Sequence, residues 1–410
     1  MPLRLPTSSP VFLIAAVCTA QVLAQLGAFT FFALLPTFFQ EWGLSHSQAG
    51  ILNGIIFGAY ALIVPFVVPL TDRIDPRRIY ICAVVLTTFS HLGMAFIADG
   101  FWDGFVFRAL AGIGWGGTYM VGLKALADLV EGPTQSRAVA FHAASIGIGG
   151  SLSFVLAGWA ADSVSWQTAF QISAAGSFLA LLVMAFLVPR RTPVPLDDQG
   201  WLSTFIRALK NKSAIAYSLG YLVHTWEMFT FRSWVVTFLV FTAAQEGGPP
   251  NFLIPTVIAM LMELTGTASS VFGNEVAIRV GRRRWILMVM FASMAMGAIV
   301  GFSAGAGYGV AATICLIYNV LIYADSASLT AGAVGTAEPG RRGATLAVHG
   351  MLGYGGGFVG PLFLGVILDV LGGETVMNWG IAFAHVSVIM VIGPLAIKLL
   401  KLGKLPGDKV

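Results

Sequence analysis

The chain has 410 residues, of which 57% are hydrophobic and only 10% charged; its mean hydropathy is +0.83 and its formal net charge +4. A soluble globular protein carries about 25% charged residues to cover its surface, so a large soluble helical protein is excluded: its helices would need polar faces, and these apolar runs have none. The three cysteines, Cys18, Cys82 and Cys315, lie singly inside apolar segments, which argues against a disulfide framework or a zinc site.

A helix that crosses a hydrocarbon layer needs about 20 apolar residues. Twelve stretches meet this: 11–38, 47–70, 79–98, 104–127, 138–160, 168–188, 214–240, 251–273, 285–303, 307–331, 343–367 and 378–399. The first is too long for the apolar core of a signal peptide and has no clear cleavage site, so it reads as a span. Most connections are short, as between antiparallel neighbours in a bundle. The long one, 189–213, contains Arg190, Arg191, Asp197, Asp198, Arg207, Lys210 and Lys212 and divides the spans six and six. Within it Trp201 to Leu209 mixes apolar and basic residues at helical spacing. That pattern suits either a helix lying on the membrane surface or a flexible piece of linker.

Charge then orients the chain. With the N-terminus inside, the inner loops and tails hold Arg4, Arg73, Arg77, Arg78, Arg137, Arg190, Arg191, Arg207, Lys210, Lys212, Arg279, Arg282, Arg283, Arg284, Arg341, Arg342, Lys401, Lys404 and Lys409. The outer loops, around 39–46, 99–103, 161–167, 241–250, 304–306 and 368–377, hold no lysine or arginine. Positive charge gathers on the cytoplasmic side, so both termini are expected in the cytoplasm.

The two halves echo each other. Val68-Pro-Leu-Thr-Asp72-Arg73-Ile-Asp-Pro-Arg77-Arg78 returns 206 positions later, from 68 to 274, as Asn274-Glu-Val-Ala-Ile-Arg279-Val-Gly281-Arg282-Arg283-Arg284. Gly147, Gly149 and Gly150 return at the same offset as Gly353, Gly355 and Gly356, and His142 and Asp162 return 207 positions on as His349 and Asp369. An offset of half the chain predicts two six-helix halves, 1–188 and 214–410, joined by a cytoplasmic linker at 189–213.

Twelve spans in two halves, a long middle loop and a charged turn after spans 2 and 8 together resemble the major facilitator superfamily, over about the whole chain. The family's turn after span 2 runs Gly-x-Leu-Ala-Asp-Arg-x-Gly-Arg-Arg/Lys. Leu70, Asp72, Arg73 and Arg77 fit it, while Val68 and Asp75 stand where glycines are expected; the second copy keeps Arg279, Gly281, Arg282 and Arg283. The resemblance implies that Asp72, Arg73, Arg77, Arg279 and Arg283 form a conformational latch, with Asp72 meeting a helix end or a basic partner. The other reading of these residues is charge that only fixes topology.

Arg108-Ala-Leu-Ala-Gly112-Ile-Gly114 in span 4 resembles the family's Arg-x-x-x-Gly-x-Gly element. Arg108 would bind an anion or position a coupling carboxylate; its alternatives are pairing of two helix ends or snorkelling to the headgroups. Span 5 lacks the Gly-Pro step of the family's antiporters, which weighs against proton-driven drug export; Gly360-Pro361 occurs in span 11 instead.

The richest intramembrane stretch is span 7, His224-Thr-Trp226-Glu227-Met-Phe-Thr-Phe-Arg232. His224 and Glu227 stand three apart, so they can share a hydrogen bond or a proton. An unpaired carboxylate at mid-span would hold its proton at neutral pH. Arg232 lies further out, at a depth similar to that of Arg108, and two cations on one cavity suit a carboxylate or an oxyanion. Glu263 in span 8 and Asp325 in span 10 are further acids able to bind a proton, a cation or Arg232. Gln25, Tyr60, Trp226 and Asn319 are candidate substrate contacts. Lys124 and Asp128, four apart, read as an ion pair at a helix end, and His142 and His349 as a repeated packing position.

The expected protein is therefore an all-α, twelve-helix, proton-coupled secondary transporter of a small organic anion. It is expected as a monomer in the cytoplasmic membrane among lipids, with no nucleic acid, metal or cofactor and no enzymatic chemistry. Arg108 and Arg232 would attract the anion, and Glu227 with His224 would carry the proton. The alternatives are proton-antiport efflux of lipophilic or cationic compounds, and a non-transporting membrane sensor or assembly protein on the same scaffold.

Overall fold

A computed structural model describes residues 9–130, 133–191, 201–250, 252–338 and 341–400; Arg4, Asp197, Asp198, Lys401, Lys404 and Lys409 lie outside them. Among the described residues every regular element is a helix. In hydrocarbon a backbone has no water to bond, so an isolated span must satisfy its N–H and C=O groups internally.

In chain order, α1 (Pro10–Ala24), α2 (Thr30–Ala33) and α3 (Leu35–Glu41) share the first predicted span. They are followed by α4 (His46–Leu70) and α5 (Pro76–Phe96), then α6 (Phe101–Gly116) and α7 (Tyr119–Leu129) in the fourth span, α8 (Pro133–Ser163) and α9 (Trp166–Leu187). The middle connection holds α10 (Trp201–Lys210), so the Trp201 stretch is helical. The second half has α11 (Lys212–Ala244), α12 (Pro255–Val280), α13 (Arg282–Val300) with a 3-10 turn at Gly301–Ala306, and α14 (Tyr308–Tyr323) with α15 (Ser326–Gly335) in the tenth span. It ends with α16 (Arg342–Val370), α17 (Val376–Met390) and α18 (Ile392–Leu399).

Among the described residues, 9 helical stretches are long and apolar enough to cross a membrane. The first and fourth predicted spans fall into shorter helices. The seventh is one helix of 33 residues whose His224, Glu227 and Arg232 lower its mean hydropathy. Leu62, Phe96, Phe186, Phe272 and Val388 stand exposed, a surface that lipid can cover and water cannot.

The breaks are locally compensated. Where α1 gives way to α2, the freed N–H of Phe29 donates to Ser153 Oγ at 3.0 Å. The fourth span breaks at Gly117–Thr118, where Thr118 Oγ1 donates to the Trp115 carbonyl at 2.9 Å. The tenth breaks at Ala324–Asp325, where Trp285 Nε1 donates to the Ala324 carbonyl at 2.9 Å. Thr118 and Asp325 stand 207 positions apart, so the repeat read in the sequence extends to the break of the fourth and tenth spans.

The chain divides into two compact units, one of Met1–Phe31 with Ile63–Asp197 and one of Phe32–Leu62 with Asp198–Val410. The first packs Val17, Ala20, Tyr80, Val84, Leu126, Ala180 and Met184 into its core. The second packs Tyr217, Val223, Ile286, Met290, Leu329, Val386 and Ile397. In the second unit the start of α4 lies along α16. A Cβ at Gly50 would come within 2.6 Å of the Pro361 carbonyl oxygen, one at Gly54 would collide with the Phe358 carbonyl, and Gly58 faces the Phe358 ring. Three glycines one turn apart thus let two backbones approach. The top of this contact is clasped by Asp369. Its carboxylate accepts from the backbone N–H groups of His46 at 3.0 Å and Ser47 at 2.8 Å, while His46 Nδ1 lies 2.8 Å from Oδ1. A carboxylate on the free N–H groups of a helix N-terminus is a favourable cap.

Candidate functional site: a buried ionisable cluster around α11

α11 is started by Asn211, whose side-chain oxygen accepts from Ala214 N at 3.1 Å and whose amide donates to the Thr336 carbonyl at 2.7 Å. From there the helix runs through the interior of the second unit. His224, Glu227 and Arg232 on it are all buried, as are Glu263 on α12 and Asp325 at the break of the tenth span.

These groups resolve into three separate pairings. His224 Nδ1 lies 2.9 Å from Asp325 Oδ1. Glu227 Oε1 accepts from Ser293 Oγ of α13 at 2.6 Å and from Tyr318 OH of α14 at 2.8 Å. Arg232 Nε meets Glu263 Oε1 at 2.6 Å, and its guanidinium lies 5.2 Å from the Phe229 ring centroid and 5.5 Å from that of Tyr323. Three-residue spacing permits a hydrogen bond between His224 and Glu227, but here His224 meets Asp325 at the break of the tenth span, and Glu227 meets Ser293 of α13 and Tyr318 of α14. Glu227 has hydroxyl donors and, among the described residues, no ion-pair partner. It can gain or lose a proton without separating an ion pair; Glu263 cannot.

The expected substrate contacts are spread more widely. Asn319 spends its amide on the Met262 carbonyl at 2.6 Å, and Trp226 Nε1 donates to His385 Nε2 at 3.1 Å. Tyr60 lies against Tyr354 with ring centroids 3.9 Å apart, and Phe57 stacks on Phe229 at 3.8 Å. These rings form an aromatic wall beside Arg232. Gln25 and Arg108 belong to the first unit. Gln25 is buried against Gly149, and the buried Arg108 holds its guanidinium 4.3 Å from the Phe31 ring centroid.

In the charged turns, Asp72 lies 3.9 Å from Lys124, which also bonds Asp128 at 2.7 Å. Arg77 donates through Nε to the Met184 carbonyl at 2.8 Å and through Nη2 to that of Ala185, at the C-terminal end of α9. In the second turn the buried arginine is Arg282, which donates to Asn274 Oδ1 at 2.9 Å and to the Ser328 carbonyl at 3.2 Å. Arg283 is exposed, and Arg279 pairs with Glu275 at 2.7 Å on an exposed helix face.

Sequence reasoning missed Ser293, Tyr318 and Tyr354, which carry no charge, and the His46–Asp369 clasp. It also read His349 as packing. His349 does stack on Tyr221 at 4.1 Å, but its two nitrogens each meet a hydroxyl, Ser218 and Thr330, at 3.2 Å. One signal was available: at the 206 offset Glu227 falls on Gln21, so the repeat puts an amide where the second half has an acid.

A family model described as Major Facilitator Superfamily matches residues 17–361. The chain belongs to the Major Facilitator Superfamily. Protein spinster homolog 3 of Danio rerio is 25% identical over 243 residues, 57% of this chain and 49% of that protein. Protein spinster homolog 1 of Homo sapiens is 22% identical over 287 residues, 66% of this chain and 54% of that one. This facilitator thus spans about half the length of those curated relatives. A probable 4-methylmuconolactone transporter of Cupriavidus pinatubonensis is 28% identical over 160 residues, 37% of this chain and 35% of that protein. Among solved structures, a bacterial homologue of the human lysosomal transporter spinster, inward-facing and unoccupied, has a TM-score of 0.76 at 15% identity, covering 96% of this chain and 97% of that one. The nucleoside transporter NupG also gives 0.76, at 14% identity, covering 95% and 100%. The fold is that of a twelve-helix facilitator, and its relatives are transporters of the same superfamily rather than enzymes.

Proposed function

We propose that this facilitator is a proton-coupled secondary transporter that moves a small organic anion across the cytoplasmic membrane by alternating access of its two halves. The observation that carries the reading is the run of buried ionisable residues on α11, a membrane-length helix. Ionisable groups inside a span are costly and mark solute or proton paths. Arg232 supplies the cation that attracts the anion, with Arg108 as its counterpart in the first unit. Glu227, held by two hydroxyls, responds to protons together with His224 and Asp325. The aromatic wall of Tyr60, Phe57, Phe229 and Tyr354 suits the carbon body of an organic solute, and the likeness to a probable 4-methylmuconolactone transporter supports such a cargo. Asp72, Arg73, Arg77, Arg279 and Arg283 serve as the latch at the cytoplasmic ends, where Arg77 already grips the end of α9. The carrier works as a monomer in the lipid bilayer with both termini in the cytoplasm.

Uptake by proteoliposomes across a panel of organic acids, with and without a pH gradient, tests this. The gradient should stimulate uptake of at least one anion. Arg232→Gln should lower that uptake at least ~10-fold, the scale of one lost charge-assisted contact, and Glu227→Gln should remove the stimulation. Export of lipophilic cations with no anion uptake would instead favour the aromatic wall as a drug-binding surface.

A further inference from the structure

We propose that His46, seated between the carboxylates of Asp369 and Glu374 where α4 begins beside the end of α16, is a pH-operated fastener. With a proton on both ring nitrogens the two helix ends are held together; with one proton lost, the first turn of α4 is loosened. The lysines and arginines put this end outside the cell, so the fastener senses external pH. It stands apart from the coupling groups on α11 and holds whichever solute is carried.

The first turn of α4 meets Asp369 at three points. The carboxylate accepts from His46 N at 3.0 Å and from Ser47 N at 2.8 Å, and Nδ1 of the His46 ring lies 2.8 Å from Oδ1. The opposite ring nitrogen, Nε2, lies 3.8 Å from Glu374 Oε1. The side chains of His46, Asp369 and Glu374 are 20%, 30% and 28% exposed, so water reaches the ring and exchanges protons with it. Elsewhere the ring meets uncharged neighbours, Phe39 of α3 at 5.2 Å and Trp234 of α11 at 6.4 Å between centroids. Among the described residues, Asp369 and Glu374 are the titratable groups that face it.

Hydrogen-bond chemistry and charge fix the sign. An imidazolium has an N–H on each edge, one for each carboxylate, and its charge offsets part of theirs. A neutral ring has one N–H and one lone pair. Whichever tautomer forms, one carboxylate then faces the lone pair, and two negative charges stand on either side of an uncharged ring. The backbone donors of His46 and Ser47 do not titrate here, so Asp369 keeps part of its hold. Closure is therefore strengthened as pH falls and weakened as pH rises, and by linkage opening releases a proton. The end contact matters because, at Gly50 and Gly54 below it, main chain of α4 lies against main chain of α16 with no side chain of α4 to take over the hold.

Hydrogen exchange of the purified full-length carrier in lipid nanodiscs tests this, read by mass spectrometry on the peptide that begins α4. Exchange times between pH 5.5 and 8.5 are scaled for the intrinsic rate. Opening in the wild type should be ~5-fold more frequent at the high end, the scale of one partly exposed charge contact. His46→Gln should remove the transition. Glu374→Gln should keep it but move it to lower pH, since one of the two carboxylates is gone. That variant leaves the Asp369 cap intact and serves the test even if His46→Gln does not fold. A flat wild-type profile, protection that rises with pH, a transition that survives His46→Gln, or one that Glu374→Gln leaves unmoved overturns the fastener. No solute is present, so failure of the anion reading leaves the result untouched. With Cys18, Cys82 and Cys315 replaced by serine, an impermeant thiol reagent outside cells should label Met377→Cys, at the exposed start of α17 three residues after Glu374. Labelling only from the cytoplasmic side overturns the external sensing.

Discussion

At the scale of single residues, Glu227 and Gln21 form an internal comparison. They occupy equivalent positions of the repeat, one an acid and one its amide. Gln21 Oε1 accepts from one hydroxyl, that of Tyr80 at 3.3 Å, whereas Glu227 Oε1 accepts from two. Ser293→Ala or Tyr318→Phe should each lower stability by about 1–2 kcal/mol, as for a buried hydrogen bond lost to a polar group, read as a fall in thermal unfolding temperature in detergent. Both donors land on one oxygen, so the double variant should cost measurably less or more than the sum of the singles. The charged members of this cluster were visible in the sequence because charge inside an apolar run is rare. Their partners were not. Whether His224 meets Glu227 or Asp325 is decided by where the broken tenth span comes to rest, and no local spacing encodes that. Ser293 and Tyr318 were hidden because hydroxyl residues are common in spans and carry no signal alone.

At the scale of elements, the span boundaries were legible because a minimum apolar length is imposed by the bilayer. Continuity was not. The breaks at Gly117–Thr118 and Ala324–Asp325 leave the hydropathy pattern intact and depend on side chains that bond the freed carbonyls, Thr118 at the first and Trp285 of α13 at the second. The glycines of α4 give no comparable signal in hydropathy: the glycine runs of spans 5 and 11 stand out, whereas Gly50, Gly54 and Gly58 are single residues spaced by four that line one face. A side chain at Gly54 would collide with the Phe358 carbonyl. Gly54→Leu should therefore part α4 from α16. A disulfide between cysteines placed at Ser47 and Asp369 should form readily in the parent and at least ~5-fold more slowly in the variant, as expected if local opening costs about 1 kcal/mol less.

At the scale of the whole molecule, orientation follows from the arginines and lysines and is testable as such. In a background with Cys18, Cys82 and Cys315 replaced by serine, an impermeant thiol reagent added outside cells should label Gly248→Cys and spare Arg78→Cys until the membrane is opened. Labelling of Arg78→Cys from outside would reverse the topology. The twofold plan was legible from the offset between two charged turns, and its limits are physical too. The halves share the break of the fourth and tenth spans and a histidine position, while the first span is broken and the seventh is not; at offsets of 206 and 207 the acids Glu227 and Asp325 fall on the neutral Gln21 and Thr118. A repeat conserves the shape that packing requires and leaves the chemistry of each interior free to diverge.

The bare backbone along Gly50, Gly54 and Gly58 has a kinetic meaning. Surfaces that hold together by interlocked side chains must withdraw each knob from its hole before they separate, and that raises the barrier. At Gly50 and Gly54 main chain meets main chain and there is nothing to withdraw. Once the carboxylate of Asp369 lets go of the first turn of α4, that stretch should part quickly, and the speed of opening is then set by the clasp at one end and by the rings of Phe358, Tyr60 and Tyr354 at the other.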